Sequence, residues 1–264
     1  MGNDFHTIQL YNNNGIANVM LNRPEKHNAL NPEMISELTA VFEMLDSQNE
    51  IRLIILSGNG PSFSAGADLQ YMKEISGFGY EENLRDAQKL ARLFDTVKNC
   101  ALPVIAVLHG AVYGGANGLA AACDIVLAHE ETVFAFSEVK LGITPATISP
   151  FVIARCGEAA ARELMLTGRK FSAQEAYRFL LVNQMFSNLS KEECVTGIVN
   201  QLLSSAPQAL KACKTLIHTV VHLQGHKDEL TKFTTKQIAD RRASEEGQEG
   251  LAAFFEKRKP NWML

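Results

Sequence analysis

The chain has 264 residues, 46% of them apolar, with 18 glycines, 8 prolines and a formal net charge of -4. That length suits one large α/β domain, which buries about three quarters of its unfolded surface, and the mild acidity argues against nucleic-acid or acidic-membrane partners. The 5 widely spaced cysteines without a CxxC, the lack of an 18-residue apolar window and an N-terminus without a basic-then-apolar stretch argue against a disulfide framework, a membrane span and a secretory signal, and fit a cytoplasmic location.

Residues 5–22 read as two strands, Phe5 to Leu10 and Ile16 to Leu21, joined by the turn Asn12-Asn13-Asn14-Gly15. Asn31-Pro32-Glu33 opens a helix with Asn as N-cap and Pro at the first position. Met34, Leu38, Val41, Phe42 and Leu45 follow at helical spacing. Ile51 to Leu56 is a continuous apolar run suited to a buried strand, broken at Gly58-Asn59-Gly60-Pro61. Residues 81–99 predict an amphipathic helix with Leu84, Ala87, Leu90, Ala91, Phe94 and Val97 on one face. Val104 to Leu108 is the next buried strand, and Gly114 to Cys123 a helix entered through glycines. Ile125 to Ala128 and Val133 to Phe136 are short strands. From about Ser149 the pattern is almost entirely helical, with capping boxes at Ser172/Glu175 and Ser190/Glu193 and a further start at Ala206-Pro207. The expectation is one α/β core over 1–195 and a helical C-terminal region over 196–264, whose apolar surface suits self-association.

Two stretches stand out: Ser64-Ala65-Gly66-Ala67-Asp68-Leu69 and Tyr113-Gly114-Gly115-Ala116-Asn117-Gly118-Leu119. Each follows an apolar run and carries Gly or Ala where a ligand can meet bare backbone. One N–H from each, meeting at a point, would form an oxyanion hole, which favours developing negative charge without a titrating side chain. A glycine-rich turn that only packs a helix on a sheet is the plainer alternative. Asp68 is placed to cap a following helix, Asp124 to pair with a buried donor, and His109 to serve structure. The histidines lack metal-ligand spacing, so no metal is expected, and Gly58-Asn59-Gly60 lacks the strand and helix context of a nucleotide fingerprint.

Six segments, in order along nearly the whole chain, resemble the enoyl-CoA hydratase/isomerase (crotonase) superfamily. They are Asn22 to Leu30, Phe63 to Leu69, Gly110 to Gly115, Ala122 to Ile125, Phe136 to Gly142 and Phe255 to Pro260. The resemblance implies a spiral of ββα turns in two sheets, with C-terminal helices that build a homotrimer or a hexamer. It implies an acyl-CoA thioester as substrate and no further cofactor. It also implies Ala67 and Gly115 as the oxyanion donors and Glu138 as the acid/base. Lys26, Ala29, Ala65, Asp68, Leu69, Tyr113, Gly118 and Ser137 would line the substrate and CoA channel, and Lys257 would reach a CoA phosphate from a neighbouring subunit.

One position departs from the family pattern. Hydratases with two glutamates carry the second where this chain has Gly118; Asn117 is adjacent, but one helical step turns its side chain by about 100°. Glu138 would therefore act alone. That suits a hydratase whose one carboxyl both activates water and protonates the α-carbon, and equally an isomerase or a decarboxylase. The stretch Leu141 to Val152 is similar to methylglutaconyl-CoA hydratases of leucine breakdown. A substrate carboxylate would want a basic partner, for which Arg85, Lys89 and Arg92 are candidates beside their reading as a solvated helix face. A non-catalytic acyl-CoA binder is the rival of another class.

Overall fold

The computed structural model describes residues 5–263; the reading of the extreme N-terminus falls partly on residues 1–4, outside them. The chain divides into two compact units: Met1–Cys100 with Val104–Val195, and Ala101–Pro103 with Thr196–Leu264.

In the first unit, β1 (Ile8–Asn13) and β2 (Ile16–Leu21) form an antiparallel hairpin turning at Asn14-Gly15. The helix α1 (Pro32–Asp46) begins as expected: Asn31 accepts the Met34 N–H at 2.9 Å and Pro32 fills the first position. Its face of Met34, Leu38, Val41, Phe42 and Leu45 is fully buried. The strand β3 (Leu53–Gly58) starts two residues later than the apolar run, because the Arg52 N–H turns aside to the Gly15 carbonyl. After α2 (Leu69–Ile75) and α3 (Tyr80–Asn99), the chain lays down β4 (Val104–Leu108), β5 (Ala111–Tyr113) and α4 (Gly115–Ala122). Then come β6 (Ile125–His129), β7 (Val133–Ala135), a 3-10 turn over Ser137–Leu141 and α5 (Ser149–Thr167).

The strands sort into two sheets by alternation. One has the order β1-β2-β3-β4-β6-β9, with β9 over Gln184–Phe186, and is parallel from β2 onward; the other is β5-β7-β8, with β8 over Lys170–Ser172. Ser64 adds a single parallel bridge to Val112, so it acts as a first rung beside β5. Three successive turns therefore repeat one plan: a strand in the large sheet, a rung in the small one, then helix. This is the α/β spiral that the resemblance implies. Continuous Val/Ile runs serve the parallel strands because both of their faces are covered; β4 is buried at every residue.

Three expectations need correction. β8 (Lys170–Ser172) and β9 (Gln184–Phe186) interrupt the helical stretch around α6 (Ala173–Arg178). Of the predicted apolar face of α3 only Phe94 and Val97 are buried, joined by Leu93 from outside that face, while Leu84 is exposed. The Ser172/Glu175 capping box forms, but Ser190 Oγ turns back to accept the Ser187 N–H at 2.9 Å.

Most of α7 (Lys191–Ser204) and all of α8 (Pro207–His222), α9 (Lys227–Ala243) and α10 (Glu245–Glu256) lie in the second unit. The Glu246 carboxylate accepts the first free N–H groups of α8, from Gln208 at 2.9 Å and Ala209 at 2.8 Å, as a negative charge at a helix N-terminus should. Ile217, Val221, Ile238, Phe254 and Phe255 are exposed on this unit. No described helix is long and apolar enough to cross a membrane.

Candidate active site

The first glycine-bearing loop is tied to the residues before α1. Leu30 donates its N–H to the Gly66 carbonyl at 2.6 Å and accepts the Asp68 N–H at 2.9 Å, which makes Leu30 and Ala67 a parallel bridge pair. In such a pair the neighbours of Ala67 carry the bonds, so its own N–H faces the other way. Among the described residues that N–H meets no acceptor. Ala65 is held by its N–H to the His27 carbonyl at 2.9 Å. Gly66 has φ +94°, and a β-carbon there would stand 2.9 Å from the Tyr113 carbonyl oxygen. Only glycine lets the two loops touch at this point.

The second loop leaves β5 and enters α4 at once. Gly114 sits at φ 50°, ψ -122°, a region essentially reserved for glycine, and its N–H binds the Ala135 carbonyl at 3.0 Å. Gly115 is the first helical residue, so its N–H is one that the helix cannot satisfy; among the described residues it too meets no acceptor. Asn117 is buried, and its amide donates to the Val112 and Ala135 carbonyls at 3.1 and 2.9 Å, stapling α4 to β5 and β7.

Leu30 connects the loops a second time. A β-carbon on Gly115 would stand 3.1 Å from Leu30 Cδ1, so one residue pairs its backbone with Ala67 and rests its side chain on Gly115. The aromatic ring of Phe94, from α3, closes the same face and packs edge-on against Phe151 with centroids 5.7 Å apart.

Glu138 enters from the 3-10 turn after β7. Its carbonyl accepts the Ile143 N–H at 3.2 Å, which fixes the turn. Its carboxyl lies against the glycine pair: a β-carbon on Gly114 would stand 3.3 Å from Oε1. The other oxygen, Oε2, is buried without a hydrogen-bond partner among the described residues. Burial pushes the Glu138 pKa above the ordinary carboxylate value, and its own backbone N–H offsets this only in part.

One turn further along α4, Gly118 faces an apolar wall. A β-carbon there would lie 2.8 Å from Ile148 Cβ and 3.0 Å from Phe94 Cζ. No second carboxylate can stand in that place. The space beside Gly118 is therefore taken by hydrocarbon from Ile148 and Phe94.

The other expected residues are spread more widely. Ala29 is buried and Lys26 exposed in the 3-10 turn Pro24–Lys26. Asp68 caps α2, its Oδ1 accepting from Gln70 and Tyr71, while Leu69 projects into solvent. Ser137 is half-buried beside Glu138, and Lys170 Nζ lies 5.5 Å above the Tyr113 ring. Lys257 is exposed just after α10, in the other unit. Asp124 accepts the Val104 N–H at 2.8 Å, and His109 bonds the Gly60 carbonyl at 2.9 Å, both structural ties. Arg85 and Lys89 are exposed on α3, and Arg92 pairs with Glu43 of α1 at 2.8 Å, engaged away from the loops. Sequence reasoning missed Arg23 and Ile148. Both contacts join residues tens of positions apart, and no local pattern signals them.

The family model described as enoyl-CoA hydratase/isomerase matches residues 11–263. A crystal structure of an enoyl-CoA hydratase from Shewanella pealeana superposes with a TM-score of 0.93 at 39% identity, covering 98% of this chain and 97% of that one. The enoyl-CoA hydratase ACTT6 of Alternaria alternata is 33% identical over 254 residues, 96% of this chain and 82% of its own length. A short-chain-enoyl-CoA hydratase of Clostridium acetobutylicum is 30% identical over 262 residues, 97% of each chain. With a family model spanning almost every described residue and two backbone loops braced by one leucine, the chain belongs to the enoyl-CoA hydratase/isomerase family.

Proposed function

We propose that the protein is a lyase that adds water to a 2-enoyl-CoA thioester, or removes it in the reverse direction. The observation that carries this is Glu138: a carboxyl with one unpartnered buried oxygen, set against the glycine that opens α4. The N–H groups of Ala67 and Gly115 would receive the thioester oxygen. Ala65, Ala29, Lys26 and Lys257 are the proposed contacts of the CoA moiety, the last from a neighbouring copy in a homotrimer or hexamer.

In the forward direction the Glu138 carboxylate takes a proton from water as the water oxygen bonds to the β-carbon. The Cα=Cβ electron pair moves to Cα–C, and the carbonyl electrons move onto oxygen. The two N–H groups meet that charge, and the N-terminal end of α4 adds its positive potential. Glu138 then returns the proton to the α-carbon as the carbonyl reforms. Losing one such donor costs about 3–4 kcal/mol of barrier in comparable sites. A carboxyl with a raised pKa suits both halves, because proton transfer is most efficient when donor and acceptor are closely matched.

The filled space at Gly118 favours a second reading of the same site. A single carboxyl over an apolar wall also suits a 3-enoyl to 2-enoyl isomerase, where one base takes a proton from Cα and returns it to the γ-carbon. The test supplies crotonyl-CoA, 3-methylglutaconyl-CoA and a 3-enoyl-CoA in parallel and follows the conjugated-enoyl absorbance. Loss of absorbance with either of the first two supports the lyase, and the faster of them names the acyl group. Gain of absorbance with the third alone replaces the lyase by the isomerase. The cytoplasm is the proposed location.

A further inference from the structure

Arg23 lies outside the proposed catalytic set, yet it braces the pairing that aims Ala67. Its Nη1 donates to the Ala29 carbonyl at 2.7 Å and its Nη2 to Asp68 Oδ2 at 2.8 Å. Ala29 precedes Leu30, and Asp68 follows Ala67. The guanidinium therefore spans the Leu30–Ala67 bridge, holding one segment by a carbonyl and the other by a carboxylate. Both side chains are largely removed from water, at 17% exposed for Arg23 and 8% for Asp68. The planar fork reaches two acceptors at fixed separation, which an ammonium on a flexible stem does not reproduce.

The brace is itself anchored. The Arg23 N–H donates to Asn28 Oδ1 at 2.8 Å, and its carbonyl accepts the Asn28 and Lys26 N–H groups. Asp68 uses its other oxygen on the Gln70 and Tyr71 N–H groups at the start of α2. Around Ala67, then, the Gly66 carbonyl, the Asp68 N–H and the Asp68 side chain are all engaged, while among the described residues the Ala67 N–H has no acceptor.

We infer that Arg23 is the positioning residue of the oxyanion site: through Asp68 and Ala29 it fixes the direction of the Ala67 N–H without touching substrate. This rests on the proposed role of Ala67 and deepens it. Displacing a donor by a fraction of an ångström weakens a pre-aimed hydrogen bond far more in the transition state than in the ground state. Loss of the brace should therefore fall on kcat rather than KM.

The experiment uses Arg23→Lys, with Asp68→Asn as the second variant should the first fail to fold. Asp68→Asn keeps a carbonyl oxygen for capping α2 but removes the charge that Arg23 holds. The probe is 2,4-hexadienoyl-CoA, a conjugated thioester whose absorption moves to longer wavelength when its carbonyl is polarised. Wild type should bind it with a red shift. The folded variant should bind it with most of that shift lost, and its kcat should fall about tenfold or more with KM changed less than about threefold. A variant with the full red shift and near-wild-type kcat overturns the inference, as does a loss confined to KM. Wild type with a red shift but no turnover removes the proposed lyase and leaves the brace standing. Wild type that binds the probe with no red shift removes the oxyanion reading, and the role of Arg23 with it.

Discussion

Ile148 occupies the space that a side chain at position 118 would need. Its Cβ lies 2.8 Å from where a β-carbon on Gly118 would stand, and it is only 2% exposed. The missing second carboxylate is thus a packing arrangement with two partners. Gly118 is small because Ile148 and Phe94 already fill the wall. Reversing one partner without the other should fail.

A double-mutant cycle checks that dependence. Gly118→Ala forces Ile148 and Phe94 to yield, and overpacking of this kind costs about 1–3 kcal/mol. Ile148→Ala alone leaves a cavity and costs about 2–5 kcal/mol. Combined, the new methyl enters the space vacated by Ile148, so the double variant should lose less than the sum of the two single losses, with a coupling of about 1 kcal/mol or more in denaturant unfolding. Simple additivity would show that the two side chains do not share that volume.

Glu138→Gln should lower kcat by about a hundredfold or more while leaving acyl-CoA binding nearly intact, because proton transfer is removed and the shape is kept. Its stability should follow pH in a defined direction. The folded-state pKa of Glu138 is raised above 4.5 by burial. Below 4.5 the carboxyl is neutral in both folded and unfolded chains and carries no penalty. As pH rises from 4.5 through the folded value, the unfolded chain ionises first and wild type loses stability. The Gln variant escapes this loss, so its melting temperature should gain on wild type across that window and hold a constant lead above it. A variant whose lead does not grow with pH would mean that the carboxyl is not desolvated.

The arrangement was legible where one signal sufficed. Val104 to Leu108 announces a parallel strand by its unbroken apolar run, and Asn31-Pro32 announces α1 by capping chemistry. Gly66 and Gly114 announced bare backbone, and both sit at positive φ, where the loops approach each other and Glu138. The three-residue strands β8 and β9 gave no such sign, since each is held by pairing to β7 or β6 rather than by its own composition. Leu84 misled because helical periodicity marks an apolar face whether or not anything covers it. Ile148 and Arg23 were hidden for a related reason. Their partners Gly118 and Asp68 lie 30 and 45 residues away, and only the folded spiral brings them together.

Asn117 offers a test of the scaffold apart from the chemistry. Its buried amide is bonded to the carbonyls of Val112 and Ala135, one on each of two neighbouring strands. Asn117→Ala removes both bonds; the Ala135 carbonyl keeps the Gly114 N–H at 3.0 Å, so the cost is that of the lost bonds, about 0.5–1.5 kcal/mol each. Denaturant midpoints should fall accordingly. The residual activity of the folded fraction should stay within a fewfold of wild type, since the amide is engaged by the two strand carbonyls. A large loss of kcat with unchanged stability would instead place Asn117 among the proton-handling groups.

Gly114→Ala should separate the opposite way, harming turnover more than its stability cost would suggest. The backbone angles of Gly114 are ones that an L-residue adopts at about 1–3 kcal/mol of strain. The added methyl would also press on Glu138 Oε1 at 3.3 Å, tighter than ordinary contact. Relief comes either by swinging the carboxyl outward or by flattening the turn that aims the Gly115 N–H. Each displaces a reacting group by a fraction of an ångström, and misplacement approaching 1 Å costs about a hundredfold. The expected result is a kcat reduced by about ten- to a hundredfold, with thermal unfolding lowered by only a few degrees. If kcat and stability instead hold at wild-type values, the glycine is a packing convenience and Glu138 does not depend on it for its place.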